Sequence, residues 1–195
     1  MPEIVYKAVS VEDLNLNVNE VANRLGTARG YTNDVIEECK KELEKVITPK
    51  FSFTCTEAKY GENGFIDLGY MTVNSNKLAI NLKQSPRVYT FAATTGLGVD
   101  RLLQKLSKIS QARFFITDSL ASAYAEALAD YADKFIRNGK TCQPRFSPGF
   151  GDLGIEVQPM VLDAVNARKL LGITLSKSYL MTPMKSVTAL IGERE

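Results

Sequence analysis

The segment Cys142-Gln143-Pro144-Arg145-Phe146-Ser147-Pro148-Gly149-Phe150-Gly151-Asp152 gathers the residues best suited to chemistry. Two prolines stiffen it, while Gly149 and Gly151 permit backbone angles and a closeness of approach that a Cβ would forbid. Arg145 brings a planar fork of donors matched to a carboxylate or phosphate, and Phe146 and Phe150 offer apolar walls to a flat ring. Together these residue types describe a rigid clamp for a small ligand with a carboxylate and an aromatic or apolar part. A purely structural reading stands beside it, in which Arg145 pairs with Asp152 or with a helix C-terminus.

Other features narrow the chemistry. The 195 residues include no histidine, which excludes histidine-based metal sites and serine-histidine or cysteine-histidine dyads. Cys39, Cys55 and Cys142 are odd in number and far apart, against a disulfide framework or a zinc knuckle, and in keeping with a reducing compartment. Cys39 reads as a small buried hydrophobe. A formal charge of +2, from 24 basic and 22 acidic residues, makes no electrostatic case for nucleic acid. The start lacks the apolar stretch of a signal peptide, and no segment approaches the ~20 apolar residues of a spanning helix. The expectation is a cytoplasmic protein with no membrane partner. Thr94-Thr95-Gly96-Leu97-Gly98-Val99-Asp100 has the look of a nucleotide loop, but it lacks a third fingerprint glycine and a following lysine-serine or lysine-threonine pair. It reads as a tight turn.

These residues need elements to position them. Asn17-Val18-Asn19-Glu20 reads as a cap opening a short helix that stops near Gly26. A second helix is predicted from Thr32, with Ile36, Cys39, Leu43 and Val46 on one face, ending before Pro49. Strands are expected over Phe51 to Thr56, Phe65 to Val73 and Arg87 to Thr94, with a turn at Gly61-Glu62-Asn63-Gly64 and a short helix around Lys77 to Lys83. After the glycine turn comes a helix carrying Leu102, Leu103, Leu106 and Ile109. The strongest helix is predicted over about Asp118 to Ile136: Leu120, Tyr124, Leu128, Tyr131 and Phe135 make its apolar stripe, and Ser119, Ser122, Glu126, Asp130 and Asp133 its solvated face. A helix from Ile155 to Leu171, ended by Gly172, precedes two or three short strands over Ile173 to Leu175, Tyr179 to Met181 and Val187 to Ile191. No repeat or flexible linker divides the chain, so residues 1–195 are read as one globular unit.

The run from Arg145 to Asp152, with Gly172-Ile173-Thr174-Leu175-Ser176-Lys177-Ser178-Tyr179-Leu180-Met181 and Pro183-Met184-Lys185-Ser186-Val187, resembles the C-terminal reactivation domain of cobalamin (vitamin B12)-dependent methionine synthase. Phe91-Ala92-Ala93-Thr94-Thr95-Gly96 and the helical segment Asp118 to Ala127 are similar to family segments in the same order. The resemblance covers residues 85–192 and is weak over 1–84. It implies an α+β fold, a twisted antiparallel sheet with flanking helices, that binds S-adenosylmethionine in a shallow groove. Arg145 would hold the ligand's carboxylate and Phe146 would add backbone contacts. Gly149 and Phe150 would complete the loop, and Glu126 would complement the ammonium or sulfonium charge. Phe150 stands where the family usually has tyrosine, which keeps the stacking and removes a hydrogen bond of ~0.5–1.5 kcal/mol. The family's N-terminal aspartate is not placed by this sequence; Asp13 and Asp34 are the candidates.

The function so implied is reactivation. S-adenosylmethionine donates a methyl group to oxidised cobalamin carried by a cobalamin-binding methionine synthase or corrinoid protein, while an electron-donor protein supplies one electron. This chain would then be an accessory subunit of a split methionine synthase, or of a related corrinoid methyltransferase, more than an independent enzyme. The alternative is a non-catalytic interaction module that binds a corrinoid protein and has lost the ligand.

Overall fold

The computed structural model describes residues 2–16, 21 and 33–194. Of the helix expected between Asn17 and Gly26 only Val21 is described, helical and fully buried, and the expected helix start at Thr32 lies outside the described residues. Four strands form the main sheet in the order β1 (Ile4–Ala8), β2 (Lys50–Glu57), β6 (Arg87–Thr94) and β9 (Ser186–Glu193), and every neighbouring pair is antiparallel. A smaller sheet holds β3 (Lys59–Tyr60), β4 (Phe65–Asp67) and β5 (Thr72–Asn74), and β7 (Thr174–Leu175) pairs with β8 (Met181–Thr182). The helices are α1 (Asn33–Glu44), α2 (Asn76–Leu82), α3 (Leu97–Ile109), α4 (Gln111–Arg137), α5 (Gln158–Ala164) and α6 (Ala167–Leu171). This is the expected α+β architecture with antiparallel sheets. Among the described residues no helix is long and apolar enough to cross a membrane.

β6 explains the layering. Its side chains alternate between two faces: Tyr89, Phe91 and Ala93 join the core beneath α4, while Val88 meets the small sheet and Ala92 meets α5 and α6. Because both faces are covered, seven of its eight residues are buried, and the strand reads in sequence as an apolar run. Phe51, Phe91 and Leu128 are at most 1% exposed, and each such side chain stabilises the fold by about 1.5–3 kcal/mol.

α4 ends within one residue of expectation but differs at its start and in the face it buries over its later half. It begins at Gln111, seven residues before Asp118, because Ser110 caps it: the Ser110 hydroxyl accepts from the Arg113 N–H at 3.4 Å. Its buried face rotates along the helix to Ala129, Ala132 and Ile136, so Phe135 of the expected stripe is 40% exposed. With 27 residues the helix spans about 40 Å, enough to carry separate features at its two halves.

Two other elements split. The expected strand from Phe65 to Val73 is broken where Gly69 takes φ +80 and its N–H donates to the Asp67 carboxylate at 2.8 Å. The expected helix from Ile155 to Leu171 becomes a 3-10 turn, α5 and α6, interrupted at Asn166, which adopts a left-handed φ of 50. Gly172 ends α6 as read.

Candidate functional site

The residues expected to bind a ligand sit on a loop that borrows its shape from β9. Cys142 bridges to Glu193 and Phe146 to Leu190, so four steps along the loop oppose three along β9. The extra residue is a bulge, and it falls at Pro144 and Arg145. A bulge re-aims the side chain it carries, and proline tolerates the lost ladder bond.

Arg145 turns back to the polar face of α4. Its Nη2 donates to Asp130 Oδ1 at 2.8 Å and lies 3.7 Å from Glu126 Oε2. Its Nη1 is buried and has no partner among the described residues. Asp130 and Glu126 keep 72% and 60% of their side-chain surface exposed, against 25% for Arg145. The cation is thus half-sunk between two carboxylates that face water, with one donor unused.

The same helix face carries a second cation. Asp118, Ser122, Glu126 and Asp130 recur at every fourth position and form one row. Lys185 Nζ donates to Asp118 at 2.8 Å and to Ser122 Oγ at 2.9 Å. Lys185 is presented by backbone bonds on either side of it: the Met184 N–H donates to Asp100 at 2.9 Å, and the Thr95 N–H donates to the Lys185 carbonyl at 3.0 Å. Burial pushes the Asp100 carboxyl above its ordinary pKa, opposed by the Met184 bond and the Lys185 charge. The face read as solvated is therefore a ladder of acids and one hydroxyl, clasped by two cations that arrive from later in the chain.

The remaining loop residues divide by role. Phe146 turns its ring into the core under the small sheet, and its N–H and C=O both bond Leu190, at 2.9 and 2.8 Å. Only the second lone pair of its carbonyl is left for a ligand. Gly149 takes φ +86 and its N–H donates to the Leu153 carbonyl at 2.8 Å, closing the turn over buried Leu153. Phe150 stands 67% exposed at the tip of that turn. Of the two aromatic walls expected, only Phe150 faces outward.

Asp152 does not pair with Arg145. Its carboxylate accepts from the Asn76 N–H at 2.9 Å, the Lys77 N–H at 3.2 Å and the Ser75 hydroxyl, capping α2. The Ser75 bond, then the two backbone bonds, hold its carboxyl below the usual range against the opposing effect of desolvation. The alternative partner proposed for Arg145 on structural grounds is thus engaged elsewhere.

The glycine turn is a packing device. Gly96 adopts φ +92, and a Cβ there would lie 2.0 Å from Thr48 Oγ1; one on Gly98 would lie 2.3 Å from the Val46 carbonyl. α3 starts this close to the Val46–Thr48 segment because both positions lack a side chain. Cys39 is fully buried on α1 as expected, and desolvation raises its thiol pKa.

Sequence reading placed Arg145, Glu126 and the loop but assigned no role to Asp130, Lys185 or Asp118. The four-residue spacing of the acids was visible; what was not visible is which cations would reach them. Asp34 lies exposed in the first turn of α1, and Asp13 lies exposed on a cavity that Asp130 also lines.

Among solved structures, the chain is similar to the MetH reactivation domain bound to AdoHcy, with a TM-score of 0.69, 15% sequence identity, and coverage of 98% of this chain and 78% of that one. The two share a fold. Neither a protein-family model nor a curated protein matches the sequence.

Proposed function

From that shared fold and the unused donor of Arg145, we propose that the chain is an S-adenosylmethionine-binding module that supports reductive methylation of cobalamin held by a partner protein. One observation carries this reading: Arg145 is fixed by Asp130 through Nη2 while Nη1 is buried without a partner among the described residues. An isolated buried donor costs about 1–3 kcal/mol, and a ligand carboxylate would remove that cost.

The local charge agrees. Arg145 with Glu126 and Asp130 sums to one negative charge, and S-adenosylmethionine, with one carboxylate, one ammonium and one sulfonium, carries one positive charge. Arg145 would hold the carboxylate, Glu126 and Asp130 would face the cationic centres, and Phe150 would offer its exposed ring to the ligand or to the corrinoid partner. The ligand supplies the methyl group and becomes S-adenosylhomocysteine; a separate donor protein supplies the electron that the cobalt needs to accept that methyl. Gly149 shapes the turn, and the second lone pair of the Phe146 carbonyl is the backbone contact it can still make. In this reading the chain serves as an accessory subunit of a split methionine synthase or a related corrinoid methyltransferase in the cytoplasm.

Calorimetry tests it directly. Saturable heat is expected with S-adenosylmethionine, and smaller affinity for neutral S-adenosylhomocysteine. No heat with either ligand near millimolar concentration would sink the proposal. A second reading, a non-catalytic module that binds a corrinoid protein without ligand, is favoured by the carboxylates already pairing Arg145 and by the missing hydroxyl at Phe150. It predicts co-purification with a corrinoid protein that S-adenosylmethionine does not alter.

A further inference from the structure

A cavity of about 860 Å³ opens beside the second half of α4, with Asp130 among its lining residues. Its volume falls within the ~300–1,000 Å³ of ordinary small-molecule sites. Four rings line it, from Phe53, Tyr89, Tyr131 and Phe135. Phe53 meets Phe135 at 6.1 Å between centroids and 71°, and meets Tyr89 at 6.3 Å and 59°. Rings inclined in this way present edges and faces around an open volume and do not close it by stacking.

Charge surrounds the rings unevenly. Lys7 Nζ lies over the Phe135 ring at 4.4 Å and over Tyr131 at 5.8 Å. Lys134 lines the cavity and has no ion-pair partner among the described residues. Lys140 also lines it, bonded to the Tyr89 hydroxyl at 2.8 Å and to Glu193 at 3.1 Å. Of the two aspartates at the rim, Asp130 is engaged by Arg145 and Asp13 is not. Among the described residues Lys134 balances Asp13 at the lining, and Lys7, which is not a lining residue but sits over two of the rings, adds one positive charge beside them.

We infer that this cavity is a second binding site, for a planar aromatic or heteroaromatic molecule bearing an anionic group. The rings take the plane of the molecule, and Lys134 with Lys7 takes its charge. The cavity shares Asp130 with the methyl-donor reading, but the rings and lysines on which the inference stands have no role in that reading, so the two can fail separately.

The test uses the full chain and two probes, 8-anilinonaphthalene-1-sulfonate and its uncharged parent N-phenyl-1-naphthylamine, followed by fluorescence titration. Saturable one-to-one binding of the sulfonate is expected, with the parent weaker. Lys134→Glu should weaken the sulfonate roughly tenfold, a charge reversal at the rim, and leave the parent unchanged. Tyr131→Leu should weaken both probes, and Lys134→Glu should leave S-adenosylmethionine binding and the Tm as they were. Binding that does not saturate at one equivalent, equal affinity for the two probes, or indifference to Lys134→Glu each overturns the inference.

Discussion

The Nη2 atom of Arg145 lies 2.8 Å from Asp130 Oδ1, while Nη1 of the same guanidinium is buried with no acceptor among the described residues. The pair is half satisfied, and the unsatisfied half decides what a substitution does. Arg145→Ala removes a surface pair worth ~0–1 kcal/mol and also removes a buried donor that had no bond, so the two changes offset. The Tm should stay nearly constant, while S-adenosylmethionine affinity falls by roughly 10- to 100-fold, the loss of a charged hydrogen bond. Calorimetry and thermal unfolding on one preparation read both quantities. A large fall in Tm would instead make Arg145 a structural residue.

Asp130→Asn keeps an acceptor for Nη2 but removes one of the two negative charges near the cationic end of the ligand. Affinity for S-adenosylmethionine should drop about three- to tenfold, and the loss should shrink as salt is raised, because Asp130 is 72% exposed. An affinity that rises would show that Asp130 competes with the ligand carboxylate and does not hold the arginine in place for it.

Phe150→Tyr restores a hydroxyl on an exposed ring. Because the ring is 67% exposed, the added group is solvated in the free protein and the Tm should not move. Affinity for the ligand, or methyl transfer to a corrinoid partner, should improve by an amount in line with one hydrogen bond of ~0.5–1.5 kcal/mol. No change in either measurement would mean that this position does not reach the ligand.

Asp152 gives the fold an acid-sensitive point. Its folded-state pKa lies below the unfolded one, with the Ser75 bond as the largest favourable cause. The carboxylate therefore contributes stability above the unfolded pKa, and that contribution disappears as pH falls through the folded value, below about pH 4. Asp152→Asn should lower the Tm at neutral pH, where the carboxylate caps α2, and flatten the fall in Tm on the acid side of the ordinary aspartate range relative to the native chain. Parallel acid limbs for the two proteins would remove Asp152 from this role.

How much of this was legible in the sequence depends on the range of the interaction. The strand from Arg87 to Thr94 was read with its observed bounds, because a strand buried on both faces announces itself as an apolar run. Gly172 was readable as a helix end because a left-handed residue favours glycine. Asn166 does the same with an ordinary side chain, and the helix break there went unread. The candidate site follows the same division. Arg145 and the loop were visible as local chemistry, whereas the bond from Lys185 to Asp118 and the cap from Asp152 to Asn76 join residues 67 and 76 positions apart. Residue type suggests such partners but not which of several cations or helix ends will arrive.

The anchoring of the loop carries a kinetic consequence. β9 holds it at Phe146 and the first turn of α2 holds it at Asp152, so the segment between them is stapled at both ends before any ligand arrives. Encounter then needs no opening or closing of a lid. The observed association rate should rise linearly with ligand concentration without a slow unimolecular phase, and an uncharged change such as Phe150→Tyr should alter how long the ligand stays, with little change in how fast it comes.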